Sequence, residues 1–153
     1  KREYEAVVVG VLTGGGVVDA PIGRHPVHRK KQAVNEAGKE AITHYRIISR
    51  YRSHTHVQLN LETGRTHQIR VHMAHINHRL VGDPLYGGRL QMPAASSPKL
   101  TDVLQNFKRQ ALHAKSLTFA HPETGRQVSW EVETTNDMRE LLVALKSDYK
   151  KAD

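Results

Sequence analysis

Two neighbouring segments with alternating polarity constrain the fold of this chain more than any other feature. In residues 40–51 and 54–61, apolar or β-branched side chains recur at every second position. These side chains are Thr43, Tyr45, Ile47, Val57, Leu59 and Leu61. Because only two residues separate the segments, the pattern predicts an antiparallel β-hairpin of two long strands.

The rest of the chain predicts further strands and helices around this hairpin. Strand patterns cover residues 4–12, 17–22, 114–120 and 127–132. Helical patterns cover residues 67–76, 100–107 and an amphipathic stretch from 136 onwards. Thr66 is the expected N-cap of the first helix, and residues 91–99 are expected to form a flexible loop. Without strand–helix alternation, the fold class is α+β, with a mixed, mainly antiparallel sheet and a few flanking helices.

The charge balance points to a polyanionic partner. The chain has 23 Lys and Arg against 15 Asp and Glu, a formal net charge of +8. Nucleic acid is the commonest partner of such a protein, although a merely soluble basic protein is an equal alternative on charge alone. Within residues 24–31, a predicted basic loop, Arg24, Arg29, Lys30 and Lys31 are expected to contact RNA phosphates.

Composition also excludes several classes of site. The chain has no cysteine, so disulfides, thiolate metal sites and a cysteine nucleophile are absent, which fits a cytoplasmic location. Apolar runs are far too short to span a bilayer, so no membrane partner is expected. No leader pattern opens the sequence. Instead it begins inside a predicted strand, and we expect a truncated N-terminus.

The densest cluster of chemically useful residues lies at 64–75. A glycine turn that leads into a capped helix leaves free N–H groups for an anion. Arg70, one turn inside the helix, offers a planar fork suited to a carboxylate. Two other interpretations stay open: a solvated basic face, and a metal site that uses His72 and His75. The second lacks a carboxylate and the His-Glu-x-x-His pattern, so no metal is expected.

Five segments, taken in order, resemble the RluA/RluD family of RNA pseudouridine synthases. They are residues 2–6 (Arg-Glu-Tyr-Glu-Ala), 62–72 (Glu-Thr-Gly-Arg-Thr-His-Gln-Ile-Arg-Val-His), 80–88 (Leu-Val-Gly-Asp-Pro-Leu-Tyr-Gly-Gly), 109–114 (Arg-Gln-Ala-Leu-His-Ala) and 121–125 (His-Pro-Glu-Thr-Gly). The closest branch is the one that modifies large-subunit ribosomal RNA. The resemblance implies isomerisation of specific uridines in 23S ribosomal RNA, without metal or cofactor.

The resemblance also assigns residue roles. Tyr4 would pack against the flipped-out uracil and help to remove its C5 proton, and Arg70 would hold the nucleophilic aspartate. Leu80 or Val81 would close the apolar floor of the uracil pocket. Further contacts to the substrate are expected from Arg65, His67 and Gln68.

One departure from the family has a large consequence. The family's nucleophilic aspartate lies in a His-Arg-Leu-Asp motif upstream of the tyrosine segment, and this sequence has none. Residues 78–81 (His-Arg-Leu-Val) have valine in place of the acid and lie in the wrong place. We therefore expect residues 1–153 to be the C-terminal part of a catalytic domain, inactive alone, with exposed strand edges that favour association.

Two alternatives from other classes remain at this point. One is a non-catalytic RNA-binding module on the same scaffold, and the other is a metal-dependent hydrolase built on the histidines. An upstream His-Arg-Leu-Asp motif would favour the enzyme over the binding module, and stoichiometric zinc would favour the hydrolase.

Overall fold

The architecture is described from a computed structural model of the chain. It covers residues 2–151, with the side chains of residues 117–119 and 151 excepted. The strands are β1 (Arg2–Val9), β2 (Gly16–Asp19), β3 (Ile22–Arg24), β4 (Gln32–Val34), β5 (Ile42–Arg50), β6 (His54–Leu61), β7 (Leu112–Ala120) and β8 (Gln127–Glu131). The helices are α1 (Gln68–His75), α2 (Pro98–Asn106) and α3 (Asn136–Lys151). Across the described part, no helix is long and apolar enough to cross a membrane.

Six strands form one antiparallel sheet in the order β2-β5-β6-β1-β7-β8. The predicted hairpin is confirmed as β5–β6, with one register shift between Ile47 and Ser49. β3 and β4 form a separate two-stranded ribbon. The predicted α+β class with a mainly antiparallel sheet is therefore confirmed.

Helices cover both faces of the sheet because β1 alternates its side chains between them. Ala6 and Val8 lie in a buried apolar cluster with Ile69 and Met73 of α1. Val7 points to the other face, where it joins a cluster contributed largely by α2 and α3. Successive strand residues point to opposite faces, so β1 packs against two separate cores.

Three predicted boundaries were wrong for local physical reasons. β1 ends at Val9 and not at residue 12, because Gly10 adopts φ 89° and turns the chain. The predicted strand 17–22 is divided into β2 and β3, since Pro21 has no N–H for the sheet ladder. The predicted loop 91–99 includes the start of α2, where the Ser97 hydroxyl accepts a hydrogen bond from Leu100 N–H.

Candidate catalytic site

A cavity of about 230 Å³ lies between the start of β1 and the start of α1. It brings together five residues that the sequence assigned to the site. These are Tyr4, Arg65, His67, Gln68 and Arg70. No Asp or Glu is found among the described residues that line it, whereas three arginines are. The cavity is therefore electropositive and suits an anionic group.

Tyr4 is held at the cavity by the two strands that flank β1. It pairs with Leu59 of β6 and with Ala114 of β7, and the β1–β7 register shifts between Glu3 and Tyr4. Such an irregularity redirects side chains locally. The half-buried ring packs against the apolar cluster of α1, so one side of the ring is supported by protein.

Gln68 fixes the turn that leads into α1. Its buried side-chain oxygen accepts hydrogen bonds from Thr63 Oγ1 at 2.7 Å and Arg65 N–H at 3.0 Å. Its nitrogen donates to Ile42 O at 3.0 Å and Thr43 Oγ1 at 2.9 Å. Gln68 thus lines the cavity, while its side-chain oxygen and nitrogen form the hydrogen bonds that connect the turn to β5.

The predicted N-cap at Thr66 was wrong. The cap position is His67, which has φ 56° and forms no side-chain capping bond. Few residues other than glycine adopt this left-handed conformation, although His is enriched among them. Burial, together with the nearby cation Arg70, lowers the pKa of His67 below its ordinary value. The ring is therefore neutral at pH 7, and its Nδ1 lies 2.7 Å from the Tyr86 hydroxyl.

Arg70 is fixed by the carboxylate of Asp83, a residue whose place just before Pro84 predicts only a turn. Its Nε and Nη2 each donate to Asp83 at 2.9 Å, and the Arg70 and Asp83 side chains are 11% and 1% exposed. The guanidinium carbon lies 4.9 Å from the Tyr86 ring centroid. Burial alone would raise the pKa of Asp83, but hydrogen bonds from Arg70 and from two backbone N–H groups lower it overall.

Leu80 and Val81 lie away from the Tyr4–Arg70 cavity. They are 1% and 3% exposed. Leu80 belongs to the apolar cluster on which Tyr4 packs, whereas Val81 joins the cluster on the other face. Both line a second cavity of about 220 Å³. Their assignment to the uracil pocket stays a prediction.

The predicted basic loop closes the β3–β4 hairpin, and we call residues 22–34 the basic hairpin. Arg24, Arg29 and Lys30 are exposed, and Lys31 is half-buried with its Nζ 6.0 Å from the Tyr86 ring centroid. A shallow cavity beside the hairpin is lined by Arg24, Lys39 and Arg65. It shares Gly64 and Arg65 with the Tyr4 cavity. A basic groove therefore runs from the hairpin to the candidate site.

His72 of α1 has a structural role. His72 is fully buried, with Nδ1 2.7 Å from Thr43 Oγ1 and Nε2 2.8 Å from Ala20 O. Burial lowers its pKa. Both ring nitrogens are occupied, which leaves neither free to bind a metal. Within residues 2–151 the structure shows no cluster of three or more His, Cys, Asp or Glu able to hold an ion.

Known proteins resemble this chain in sequence and in fold. The sequence model of one family, described as RNA pseudouridylate synthase, matches residues 1–75, which include every element from β1 to α1. A solved structure named Human RNA Pseudouridylate Synthase Domain Containing 4 covers 95% of this chain and 62% of its own. It does so with a TM-score of 0.71 and 23% sequence identity, which establishes a shared fold.

Curated bacterial relatives share a much higher sequence identity with this chain. The Ribosomal large subunit pseudouridine synthase D of Pseudomonas aeruginosa is 55% identical over 147 residues, 96% of this chain and 46% of the relative. The protein of the same name from Haemophilus influenzae is 56% identical over 148 residues, again 46% of its length. The resemblance to the pseudouridine synthase family is therefore confirmed, and the chain spans about half the length of these relatives.

Proposed function

We propose that this chain is the C-terminal part of the catalytic domain of a pseudouridine synthase acting on large-subunit ribosomal RNA. The nucleophilic aspartate would come from a segment outside residues 1–153. The observation that carries the proposal is a cavity that gathers Tyr4 and Arg70 but no acidic residue among those described. The relatives are named as synthases of this kind and are about twice as long.

The proposed chemistry rearranges bonds within one nucleotide. The aspartate from outside the chain attacks the flipped-out nucleotide, the bond from N1 of uracil to the ribose breaks, and the base rotates. A bond from C5 to the ribose then forms as the aspartate is released, the proton on C5 is lost, and N1 gains a proton. No redox partner or metal is needed for this isomerisation, and none is included in the proposal.

Arg70 supports the proposed catalytic role because part of its guanidinium is available to a second carboxylate. Asp83 accepts hydrogen bonds from Nε and Nη2 of Arg70. Nη1 donates to no acceptor among the described residues. A second carboxylate can therefore bind the remaining edge of the same guanidinium. A nearby cation keeps a partly buried carboxylate ionised, because it lowers a pKa that burial would raise. An ionised carboxylate is the form that acts as a nucleophile.

Tyr4 supports the binding of an extruded base. A base lifted from an RNA stack loses its stacking energy and needs an apolar or aromatic surface in the protein. The ring of Tyr4 is supported from one side by the apolar cluster and lines the cavity on the other. In the proposal, this ring stacks on uracil, and its hydroxyl assists removal of the C5 proton.

The basic groove would hold the strand that flanks the target nucleotide. Arg24, Lys39 and Arg65 follow one another from the basic hairpin to the site. Cations in such a row attract phosphates without reading sequence. We propose RNA binding in this groove, in a cytoplasmic protein.

The test is tritium release from ribosomal RNA that carries 5-tritiated uridine, with the chain extended to its natural N-terminus. Release is expected, because C5 loses its hydrogen in the reaction. A protein that folds and binds RNA but releases no tritium would reject the synthase. It would instead support a non-catalytic RNA-binding module on the same scaffold.

A further inference from the structure

We propose that Asp83 and Tyr86 are positioning residues for Arg70, and that Tyr86 connects Arg70 to the basic hairpin. The proposal rests on the function proposed above and adds two residues to it. The local sequence around both residues, with Pro84 after Asp83 and Gly87-Gly88 after Tyr86, predicts only turns. Both act through Arg70 and neither is proposed to touch the reacting atoms.

Asp83 is itself rigidly held, which makes it a suitable anchor. Its Oδ1 accepts hydrogen bonds from Arg70 Nη2 and Leu85 N–H, both at 2.9 Å, and from Tyr86 N–H at 3.0 Å. Its Oδ2 accepts from Arg70 Nε at 2.9 Å. With the side chain only 1% exposed, water has little access to compete for these bonds. The turn at residues 83–87 thus fixes the carboxylate, and the carboxylate fixes Arg70.

The bidentate contact selects which edge of Arg70 faces the cavity. A guanidinium has two edges at which a carboxylate can accept two parallel hydrogen bonds, one at Nε and Nη2 and one at the two terminal nitrogens. Asp83 occupies the first edge. Arg70 also lines the cavity, so the second edge is the one left for an incoming carboxylate.

Tyr86 supports the plane of the guanidinium and joins it to the hairpin. Its ring lies 4.9 Å from the guanidinium carbon, within cation–π range. Its hydroxyl accepts a hydrogen bond from Gln32 N–H at 2.8 Å, at the start of β4. The same hydroxyl lies 2.7 Å from Nδ1 of His67, within hydrogen-bond distance. A shift of the basic hairpin is therefore transmitted to the ring beneath Arg70.

The first test compares Asp83→Asn with the natural sequence in the chain extended to its natural N-terminus. Asparagine keeps an oxygen that can accept from Leu85 and Tyr86 N–H, but it loses one acceptor for Arg70 and the negative charge. We expect kcat per folded molecule to fall about 100-fold, the size expected from misplacing a catalytic group by about 1 Å. KM for ribosomal RNA should change far less.

The pH profile separates a positioning role from a merely structural one. Without its anchor, the guanidinium of Arg70 no longer lies in place against the incoming carboxylate, so it lowers the pKa of that carboxylate less. The acid limb of kcat should therefore move to higher pH in Asp83→Asn. Asp83→Glu keeps the charge and should leave this limb in place.

Asp148→Asn is the matched control. Asp148 is also buried, accepts from Arg52 Nε at 3.0 Å and from Ser97 N–H at 2.7 Å, and lies outside the cavity. This variant should lower stability while kcat per folded molecule and the acid limb stay unchanged. Equal kcat values for Asp83→Asn and the natural sequence would overturn the proposal.

Tyr86→Phe tests the connection to the hairpin. The ring remains under Arg70 while the hydroxyl that joins Gln32 and His67 is lost. We expect kcat to fall about tenfold, which corresponds to about 1.4 kcal/mol. Tyr51→Phe, on the opposite face of the sheet, should have no effect. Unchanged kcat in Tyr86→Phe would remove Tyr86 from the proposal.

A direct probe of Arg70 distinguishes failure of this proposal from failure of the proposed function. The ¹⁵N-resolved Nε–H signal of Arg70 should be sharp and slow to exchange in the natural sequence, and it should be lost in Asp83→Asn. This result is expected even if the natural sequence releases no tritium, which would reject the synthase alone. An identical Arg70 signal in both proteins would reject the anchoring role of Asp83.

Discussion

Two arginine–aspartate pairs in this chain have nearly the same geometry in opposite surroundings. Arg70 donates two hydrogen bonds to Asp83 at 2.9 Å, and Arg109 donates two to Asp137 at 2.6 and 2.7 Å. The side chains of the first pair are 11% and 1% exposed, and those of the second are 41% and 47% exposed. Hydrogen-bond geometry alone therefore does not distinguish a site residue from a surface ion pair.

Burial and the neighbouring cavity make the difference. The second pair lies in water, where an ion pair contributes little to stability. The first pair is buried away from water, so each ion is stabilised mainly by the charge of the other. Removal of one partner therefore leaves an uncompensated buried charge. Arg70 also borders a cavity that Asp83 does not line. Arg70 is fixed on one side by a buried carboxylate and borders the cavity on another. A cation fixed in this way is suited to bind a second anion in the cavity.

The largest expected effect is the loss of catalysis in Arg70→Ala. In the chain extended to its natural N-terminus, turnover should fall about 1000-fold, because the charged donor proposed to bind the nucleophile is lost. RNA affinity should fall much less, since the groove keeps its other cations. Arg109→Ala should leave turnover within about tenfold, as measured by tritium release. Equal losses of turnover and affinity in Arg70→Ala would contradict its role.

The next effect is on the free energy of unfolding of this chain. Asp83→Ala should lower it by about 3 kcal/mol or more, since the buried Arg70 loses its partner. Asp137→Ala should lower it by about 1 kcal/mol or less, and high salt should reduce this loss further. Urea unfolding at low and high salt measures both. Similar losses for the two variants would show that burial does not separate the pairs.

A drop in pH from 7 to 5 should lower the free energy of unfolding of the chain. It should leave the difference in stability contribution between the two ion pairs unchanged. The pKa values of both aspartates are lowered, so neither titrates between pH 7 and 5. By contrast, burial is the main cause that lowers the pKa of His54 to about 4. Because the unfolded chain binds that proton more tightly, stability should fall by about 2 kcal/mol as pH drops from 7 to 5.

His54→Gln identifies the source of this acid sensitivity. The variant should remove most of this pH dependence, and a remainder is expected from His72 and His67, whose pKa values are also lowered by burial. The difference between Asp83→Ala and the natural sequence should stay constant from pH 7 to 5. If the acid sensitivity were undiminished in His54→Gln but vanished in Asp83→Ala, the account of both residues would be wrong.

The smallest effect concerns Arg29 and Lys30, for which no buried partner is found in the described part of the chain. Replacing Arg29 and Lys30 of the basic hairpin by Gln should weaken RNA binding modestly. It should also reduce the slope of log affinity against log salt by about 1.5, since each phosphate contact contributes just under one. Replacing Lys146 and Lys150 of α3 by Gln is the control and should change the slope less. An unchanged slope in the hairpin variant would remove phosphate contacts from its role.

Much of the fold was predictable because the strongest sequence signals are local. The β5–β6 hairpin follows from period-2 alternation, and α3 follows from its apolar stripe. The division of residues 17–22 into two strands was harder, because Pro21 interrupts a continuous apolar pattern. The basic hairpin was described as a loop, since its short second strand has no alternation long enough to recognise.

The candidate site was predictable only in part. Tyr4 and Arg70 stand in motifs that can be read along the chain. The Arg70–Asp83 and Gln32–Tyr86 contacts join residues 13 and 54 positions apart, and no local pattern reports such pairs. Asp83 showed a signal for a turn, which the structure bears out. The same carboxylate has a second partner that only the three-dimensional arrangement reveals.

The central claim is that residues 1–153 supply one side of a divided site and the nucleophile comes from elsewhere. Its most direct test is tritium release by this chain alone, compared with the chain extended to its natural N-terminus, at equal folded concentration. The account predicts no release by the chain alone and full turnover by the extended protein. Release by residues 1–153 alone would contradict it, because the nucleophile would then lie within this chain.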